Sequence, residues 1–231
     1  MTTEKKSMAD QAYEILCEKI LCFELAPGLI VSDHSLSQII GMSRTPIREA
    51  LIRLQQDGLV ENAGPKKNMI SKESIQDIEE MFDARMAIEC KAVDIIARNG
   101  GMPKDLLERL QTFHRELIDS VKVNDVRSNY AADDAFHQTI VEASGNKRLL
   151  DFSQRLRKQI MRARFLTVMT PDWFANTIRE HKAIITGLKK NDSDMAKAAI
   201  TTHLEHTIDN YRRILGNTVA LTVLTGSMRP D

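Results

Sequence analysis

The chain has 231 residues, 32 Lys plus Arg against 32 Asp plus Glu, and 42% hydrophobic residues. That length suits one large domain or two modest ones, and a chain this long can bury most of its surface without disulfides or structural metals. Neutral overall charge excludes a basic nucleic-acid-coating protein and an acidic disordered tail, while leaving room for local charge at a DNA groove. The odd cysteine count (Cys17, Cys22 and Cys90, with no C-x-x-C pair) excludes a disulfide scaffold and fits a reducing compartment. The polar start, Met1 to Asp10, has no apolar signal-peptide core, and the longest mainly apolar stretch, Val219 to Leu224, is too short to span a bilayer. A cytoplasmic protein with no membrane partner is expected.

In chain order, Ala12, Ile15, Leu16, Ile20 and Phe23 form one helical stripe, closed by Ala26-Pro27-Gly28. Ser35 to Ile40 predicts a second, shorter helix ended by Gly41, and a third runs from Ser43 to about Gln56, with Gly58 as its stop. Leu59-Val60-Glu61 and Asn68-Met69-Ile70 flank Ala63-Gly64-Pro65-Lys66-Lys67 and predict a small hairpin. Three short helices and a hairpin outline a winged helix-turn-helix over residues 8–71. From Ile75 the pattern changes to long helices. Breaks are expected at Asn99-Gly100-Gly101, Asn124-Asp125, Ser144-Gly145-Asn146, Thr170-Pro171 and Asn191-Asp192-Ser193, giving an all-α domain of about six helices over residues 75–216. Residues 217–231 show no period and read as a coil or an arm that packs on a partner. The predicted class is therefore mainly α, a winged helix-turn-helix followed by a helical bundle.

The third helix carries the most informative pattern, Ser43-Arg44-Thr45-Pro46-Ile47-Arg48-Glu49-Ala50-Leu51. Ser43 or Thr45 is placed to cap it, and Pro46 sits in the first turn, where a missing N–H costs little. Ile47, Ala50, Leu51 and Leu54 form its core face. Arg44 and Arg48, four apart, share the other face at the N-terminal end, the end a recognition helix brings to the bases. Arginine presents a planar fork to guanine or phosphate. Residues 1–42 carry net charge −3 and residues 43–72 net +3, so the positive charge is concentrated on this helix and hairpin. Composition alone also allows an amphipathic helix with solvated arginines.

Leu36 to Val60, with its SRTPIREAL core, resembles the GntR family of bacterial transcription regulators, and the likeness extends back over Tyr13 to Gly28. The resemblance implies DNA binding, with Arg44 and Arg48 as main contacts and Ser43 and Thr45 as phosphate contacts. The hairpin tip departs from the family pattern: Lys66-Lys67 stands where an Arg-Gly pair is usual. Lysine there disfavours a close backbone approach to the minor groove and offers a phosphate contact instead.

In the second domain, Asp133 and His137 lie four apart on a stripe with Val126, Tyr130, Ile140 and Val141. A buried carboxylate beside a buried imidazole must be paired or bind a cation. His181 and His203 stand eleven residues before and after Asp192, so an antiparallel helical hairpin turning there brings them side by side. Both lie on apolar stripes, with Ile184, Ile185 and Leu188, and with Ala196, Ala199 and Ile200. Three His and one Asp suit Zn²⁺ or a similar divalent ion such as Ni²⁺, although each histidine alone also reads as a hydrogen-bonded core residue. Ile75 to Leu215 resembles the FCD ligand-binding domain of the FadR-like GntR subfamily, on Asp133-Asp134-Ala135-Phe136-His137, Ser144-Gly145-Asn146, Glu180-His181-Lys182-Ala183-Ile184 and His203-Leu204. The resemblance implies a metal held by Asp133, His137, His181 and His203, with a small organic acid completing its coordination.

Arg85 is placed either to pair with Glu89 or to reach an effector carboxylate. Arg162 and Arg164 lie on a helix expected to line the cavity, with room for one of them, taken as Arg162, to point inward. His114 and His206 fall outside the ligand pattern. The expected function is a non-enzymatic regulator, a repressor by analogy, binding a pseudo-palindromic operator as a homodimer. Two other readings remain: a metal-free pocket for an apolar acyl ligand, and a metal-dependent enzyme on a helical scaffold.

Overall fold

The computed structural model describes residues 6–21, 24–72, 74–123, 125–164 and 173–215. They fall into two compact units, one made chiefly of the residues up to Ser74 and the other chiefly of the residues from Ile75 onward.

In the first unit, α1 (Met8–Leu21), α2 (Asp33–Ile40) and α3 (Arg44–Gln56) precede the hairpin of β2 (Val60–Asn62) and β3 (Asn68–Ile70). A two-residue strand absent from the sequence expectation, β1 (Ile30–Val31), joins the far edge of β3, giving the antiparallel order β1-β3-β2 with Ile30 opposite Met69 and Val60 opposite Ile70. Two residues are too few to show a period of two, which is why periodicity does not reveal it.

The apolar faces meet in one core: Ala12, Leu16 and Ile20 of α1, Leu36 of α2, Ile47, Ala50, Leu51 and Leu54 of α3, and Val31, Leu59, Val60 and Ile70 around the sheet. Ser32 caps α2, its Oγ accepting from Ser35 N at 3.0 Å, and Gly41 ends it in the left-handed conformation (φ 69°), donating to Ser37 O. This sharp end turns the chain into α3. Polar ties also hold α3 on α1: Arg53 donates to Asp10 at 2.6 Å with its guanidinium 4.3 Å above the Tyr13 ring, and Tyr13 donates to Asp57 at 2.5 Å.

The second unit is built of α4 (Ile75–Arg98), α5 (Lys104–Lys122), α6 (Val126–Ala143), α7 (Lys147–Arg164), α8 (Trp173–Lys189) and α9 (Ser193–Leu215). The breaks between α4 and α5, α5 and α6, α6 and α7, and α8 and α9 fall at the expected Gly, Asn and Asp punctuation, while the expected break at Thr170-Pro171 lies outside the described residues. α5 packs on α6 and α8, and α4 on α6. The core includes Phe82, Val93, Leu110, Leu117, Phe136, Ile140, Ile184, Ile200, Leu204 and Tyr211. The polar positions of the sequence argument lie among these side chains. The expected C-terminal arm, residues 217–231, lies outside the described residues.

The α8–α9 hairpin depends on Gly187, where an added Cβ would come within 2.6 Å of Ala196 N and 2.7 Å of its Cα. The neighbouring atoms are backbone and cannot swing aside. Gly187→Val should therefore force the two helices apart. The expected loss is about 1–3 kcal/mol, the usual range for overpacking, read as a lower denaturant midpoint. A midpoint equal to the wild type would contradict this close approach.

Candidate functional site

The helical unit brings together Asp133 and His137 of α6, His181 of α8 and His203 of α9; all four are buried, and one ligand atom from each lies within 4.8 Å of the others. The i,i+4 step on α6 and the equal spacing about Asp192 place them. Asn191 adopts φ 54° in the turn, Asp192 Oδ1 accepts from Met195 N at 2.9 Å, and α9 returns along α8. The His181 and His203 ring centroids then lie 4.8 Å apart, and His137 stands 5.1 Å from each. Phe136 stacks on His181 at 4.0 Å, nearly parallel, and limits that ring's rotation.

Two buried carboxylates orient the rings from outside. Glu89 Oε2 lies 2.7 Å from His137 Nδ1, and Glu180 Oε2 lies 2.9 Å from His203 Nδ1. Each contact fixes a tautomer with Nδ1 protonated and Nε2 free to ligate. His137 Nε2 and both ring nitrogens of His181 are buried without a hydrogen-bond partner. His181 Nε2 is 3.2 Å from Asp133 Oδ1, and His137 Nε2 is 3.9 Å from the same oxygen. Orphaned imidazole nitrogens around a carboxylate are costly in a dry core and fit a cation among them. Metal–nitrogen bonds of about 2.1 Å would set ligand atoms no more than about 4.2 Å apart, so the ligands need to draw in only slightly.

Burial pushes the imidazoles of His137 and His181 down, to about 3 and about 4, so both are neutral at pH 7 and have lone pairs to offer. Burial acts to raise the Glu89 carboxyl, but His137 and Arg85 beside it prevail and hold it below the usual carboxylate range. Glu180 is likewise held low against its burial by His203 and His206.

A pH dependence follows for the metal-free protein. Below pH 6.5 the unfolded chain takes up protons that folded His137 and His181 refuse, so stability is complete above about pH 6.5 and falls as the pH drops toward 4 for His181 and toward 3 for His137. At pH 5 the loss is about 2 kcal/mol per histidine. Denaturant midpoints of chelator-stripped protein at pH 5 and pH 7 check this; equal midpoints would contradict it.

Arg85 is buried and donates through Nε to Glu89 Oε1 at 2.7 Å, as one of its two expected readings has it, while its Nη2 is buried without a partner. Glu89 thus joins Arg85 to His137. The side chain of Arg162, the other expected effector residue, lies outside the described residues. His206, outside the expected ligand pattern, lies 2.7 Å from Glu180 Oε1, and the His114 ring centroid lies 6.2 Å from that of His181. Sequence reasoning missed Glu180 as a partner of His203 and Glu89 as a partner of His137. The available signal was acidic residues on otherwise apolar helical faces.

On the first unit, Arg44 and Arg48 lie together at the N-terminal end of α3, with side chains 47% and 58% exposed. Both contact Asp33. Ser43 and Thr45 are exposed, and Ser43 occupies the N-cap position without the expected side-chain hydrogen bond. Lys66 and Lys67 are exposed at the hairpin tip, where Lys66 takes the left-handed φ of 59°.

A winged helix-turn-helix followed by an all-α bundle is the build of a two-domain bacterial transcription regulator, and the comparisons agree. The family model "Bacterial regulatory proteins, gntR family" matches residues 8–64, and the FCD domain model matches residues 80–206. The chain belongs to the GntR family, in the group that carries an FCD domain, and is a DNA-binding transcription regulator. It is 28% identical to the HTH-type transcriptional repressor RspR of Escherichia coli K12 over 207 residues, covering 88% of this chain and 89% of that protein. The solved structure of E. coli McbR/YncC shares its fold, with a TM-score of 0.75 at 19% identity over 90% of this chain and 99% of the other. A GntR regulator from Rhodococcus sp. RHA1 also has a TM-score of 0.75 at 19% identity, over 89% and 98% of the two chains. The E. coli RspR and Rhodococcus proteins are named as transcription regulators. Among the described residues no helix is long and apolar enough to cross a membrane.

Proposed function

We propose that this regulator is a repressor that binds a pseudo-palindromic operator as a homodimer and releases or tightens its grip when a small organic acid binds at a divalent metal in the helical domain. The observation that carries this reading is the buried set of Asp133, His137, His181 and His203, with two imidazoles oriented by Glu89 and Glu180. Three nitrogens and one oxygen favour Zn²⁺, with Ni²⁺ or another divalent ion as substitutes. An ion held by these four residues would supply a Lewis-acidic centre able to take a carboxylate or hydroxyl oxygen by expanding its coordination.

We assign DNA reading to residues 8–71 and effector binding to residues 75–216. Arg44 and Arg48 reach base edges or phosphates, and Ser43, Thr45, Lys66 and Lys67 contact phosphates. Arg85 takes the effector carboxylate through its unpartnered Nη2 while Glu89 holds its Nε, with Arg162 as a second candidate cation. Such a polar interior does not suit an apolar acyl ligand. Unequal effector affinity for two arrangements of the DNA-binding units supplies the coupling.

The test is a thermal-shift panel on zinc-loaded protein with sugar acids, hydroxy acids and fatty acyl compounds. A hydroxy or sugar acid should raise the melting temperature and change affinity for a duplex selected from a random pool. Stabilisation by acyl compounds alone would overturn the reading.

A further inference from the structure

Asp33 is the first residue of α2, held just after a helix cap in which Ser32 and Ser35 bond one another's backbone N–H groups. One turn later Leu36 is 1% exposed and anchors the helix in the core. The Asp33 carboxylate is therefore fixed by a rigid local frame. Its two oxygens accept from Arg44 Nη2 at 2.8 and 2.9 Å, and Oδ2 also accepts from Arg48 Nε at 2.5 Å. The arginines beside it hold this carboxyl below its usual range, so it is ionised at neutral pH.

The arrangement is unlike that of Arg53 on the same helix, which is tied to Asp10 and Tyr13 of α1 and serves packing. Arg44 and Arg48 are half-exposed, and Arg48 uses only Nε on Asp33, so both its Nη groups remain to offer. Two arginines drawn to one carboxylate have fewer rotamers to lose when a ligand arrives. They also present one net positive charge rather than two, which weakens sequence-independent attraction to phosphate.

We propose that Asp33 is a specificity-determining positioning residue for DNA reading: it holds the guanidinium forks of Arg44 and Arg48 in direction and cancels part of their charge, so that base edges are favoured over any phosphate. This rests on the assignment of α3 as the reading helix. Asp33 itself need not touch DNA.

The experiment uses the full chain, a duplex enriched from a randomised pool, and the unselected pool as the non-specific probe. Affinity for both is measured by fluorescence anisotropy across a salt series for wild type, Asp33→Asn, Asp33→Glu and Arg48→Ala. For Asp33→Asn the expected result is tighter binding to the unselected pool, a salt slope steeper by about 0.9 for one further phosphate contact, and a selected-to-unselected ratio reduced roughly tenfold, the scale of one bidentate base contact. Asp33→Glu keeps the charge but displaces the forks, so it should lower the ratio at an unchanged slope, and it gives a reading even where Asp33→Asn fails to fold. Ratios within twofold of wild type in the folded variants would overturn the proposal. If Arg48→Ala weakens binding while the Asp33 variants keep their ratio, the inference alone fails. If Arg48→Ala changes nothing, the reading-helix assignment fails and takes the inference with it.

Discussion

Replacing His181 and His203 together by Ala should abolish stoichiometric metal binding and the thermal stabilisation that comes with it. In the wild type, a divalent ion at 1,000 times its dissociation constant adds about 4 kcal/mol, which for a unit of this size raises the melting temperature by about 10 °C. The double variant leaves Asp133 and His137, two ligands of four, too few for tight binding. It also leaves Glu180 without one of its two histidine partners, so the metal-free melting temperature should fall modestly as well. The measurement is differential scanning calorimetry with and without Zn²⁺. Equal zinc-induced shifts in wild type and variant would place the ion elsewhere.

Arg48→Ala should weaken binding to a selected operator duplex by about 1–3 kcal/mol, roughly fivefold to more than a hundredfold, with the fold intact. The side chain is 58% exposed and packs no core, and Asp33 keeps Arg44 as a partner. Substitution at such a site usually changes stability by less than about 0.5 kcal/mol. Circular dichroism melting beside a gel-shift titration separates the two effects. An unchanged titration would count against α3 as the reading helix, while a lowered melting temperature would give Arg48 a structural role.

Most of the fold was legible because its breaks are written in glycine, proline, asparagine and aspartate. Gly41 takes the left-handed conformation that ends α2, and Asn191-Asp192 turns α8 into α9, so helix lengths followed from punctuation and period. The same turn made the pairing of His181 with His203 a matter of counting. β1 was not legible, because two residues paired by long-range hydrogen bonds leave no local signature. Nor was the close approach at Gly187, since a glycine inside a helix reads only as a weak helix former until its neighbour is known.

The candidate site was legible to the depth of its four central side chains and no further. Glu89 reads naturally as an i,i+4 partner of Arg85, and it is one, but its second oxygen serves His137 from another helix. Glu180 sits next to His181 in the chain yet reaches His203 and His206 across the hairpin. Adjacent residues on a helix face different ways, so adjacency hid the role that packing assigns. Of Ser43 and Thr45, the two residues placed to cap α3, Ser43 takes the N-cap position but makes no side-chain cap hydrogen bond. Asp33 lies eleven residues before Arg44 and fifteen before Arg48, and only the turn at Gly41 brings them together.

Elemental analysis of the purified 231-residue protein, prepared without chelator or metal-affinity resin, decides whether the buried Asp133, His137, His181 and His203 hold a metal. One divalent ion per wild-type chain is expected, and none in the His181→Ala/His203→Ala variant. Wild-type protein that is correctly folded, carries no divalent ion and acquires none on dialysis against Zn²⁺ or Ni²⁺ would contradict it.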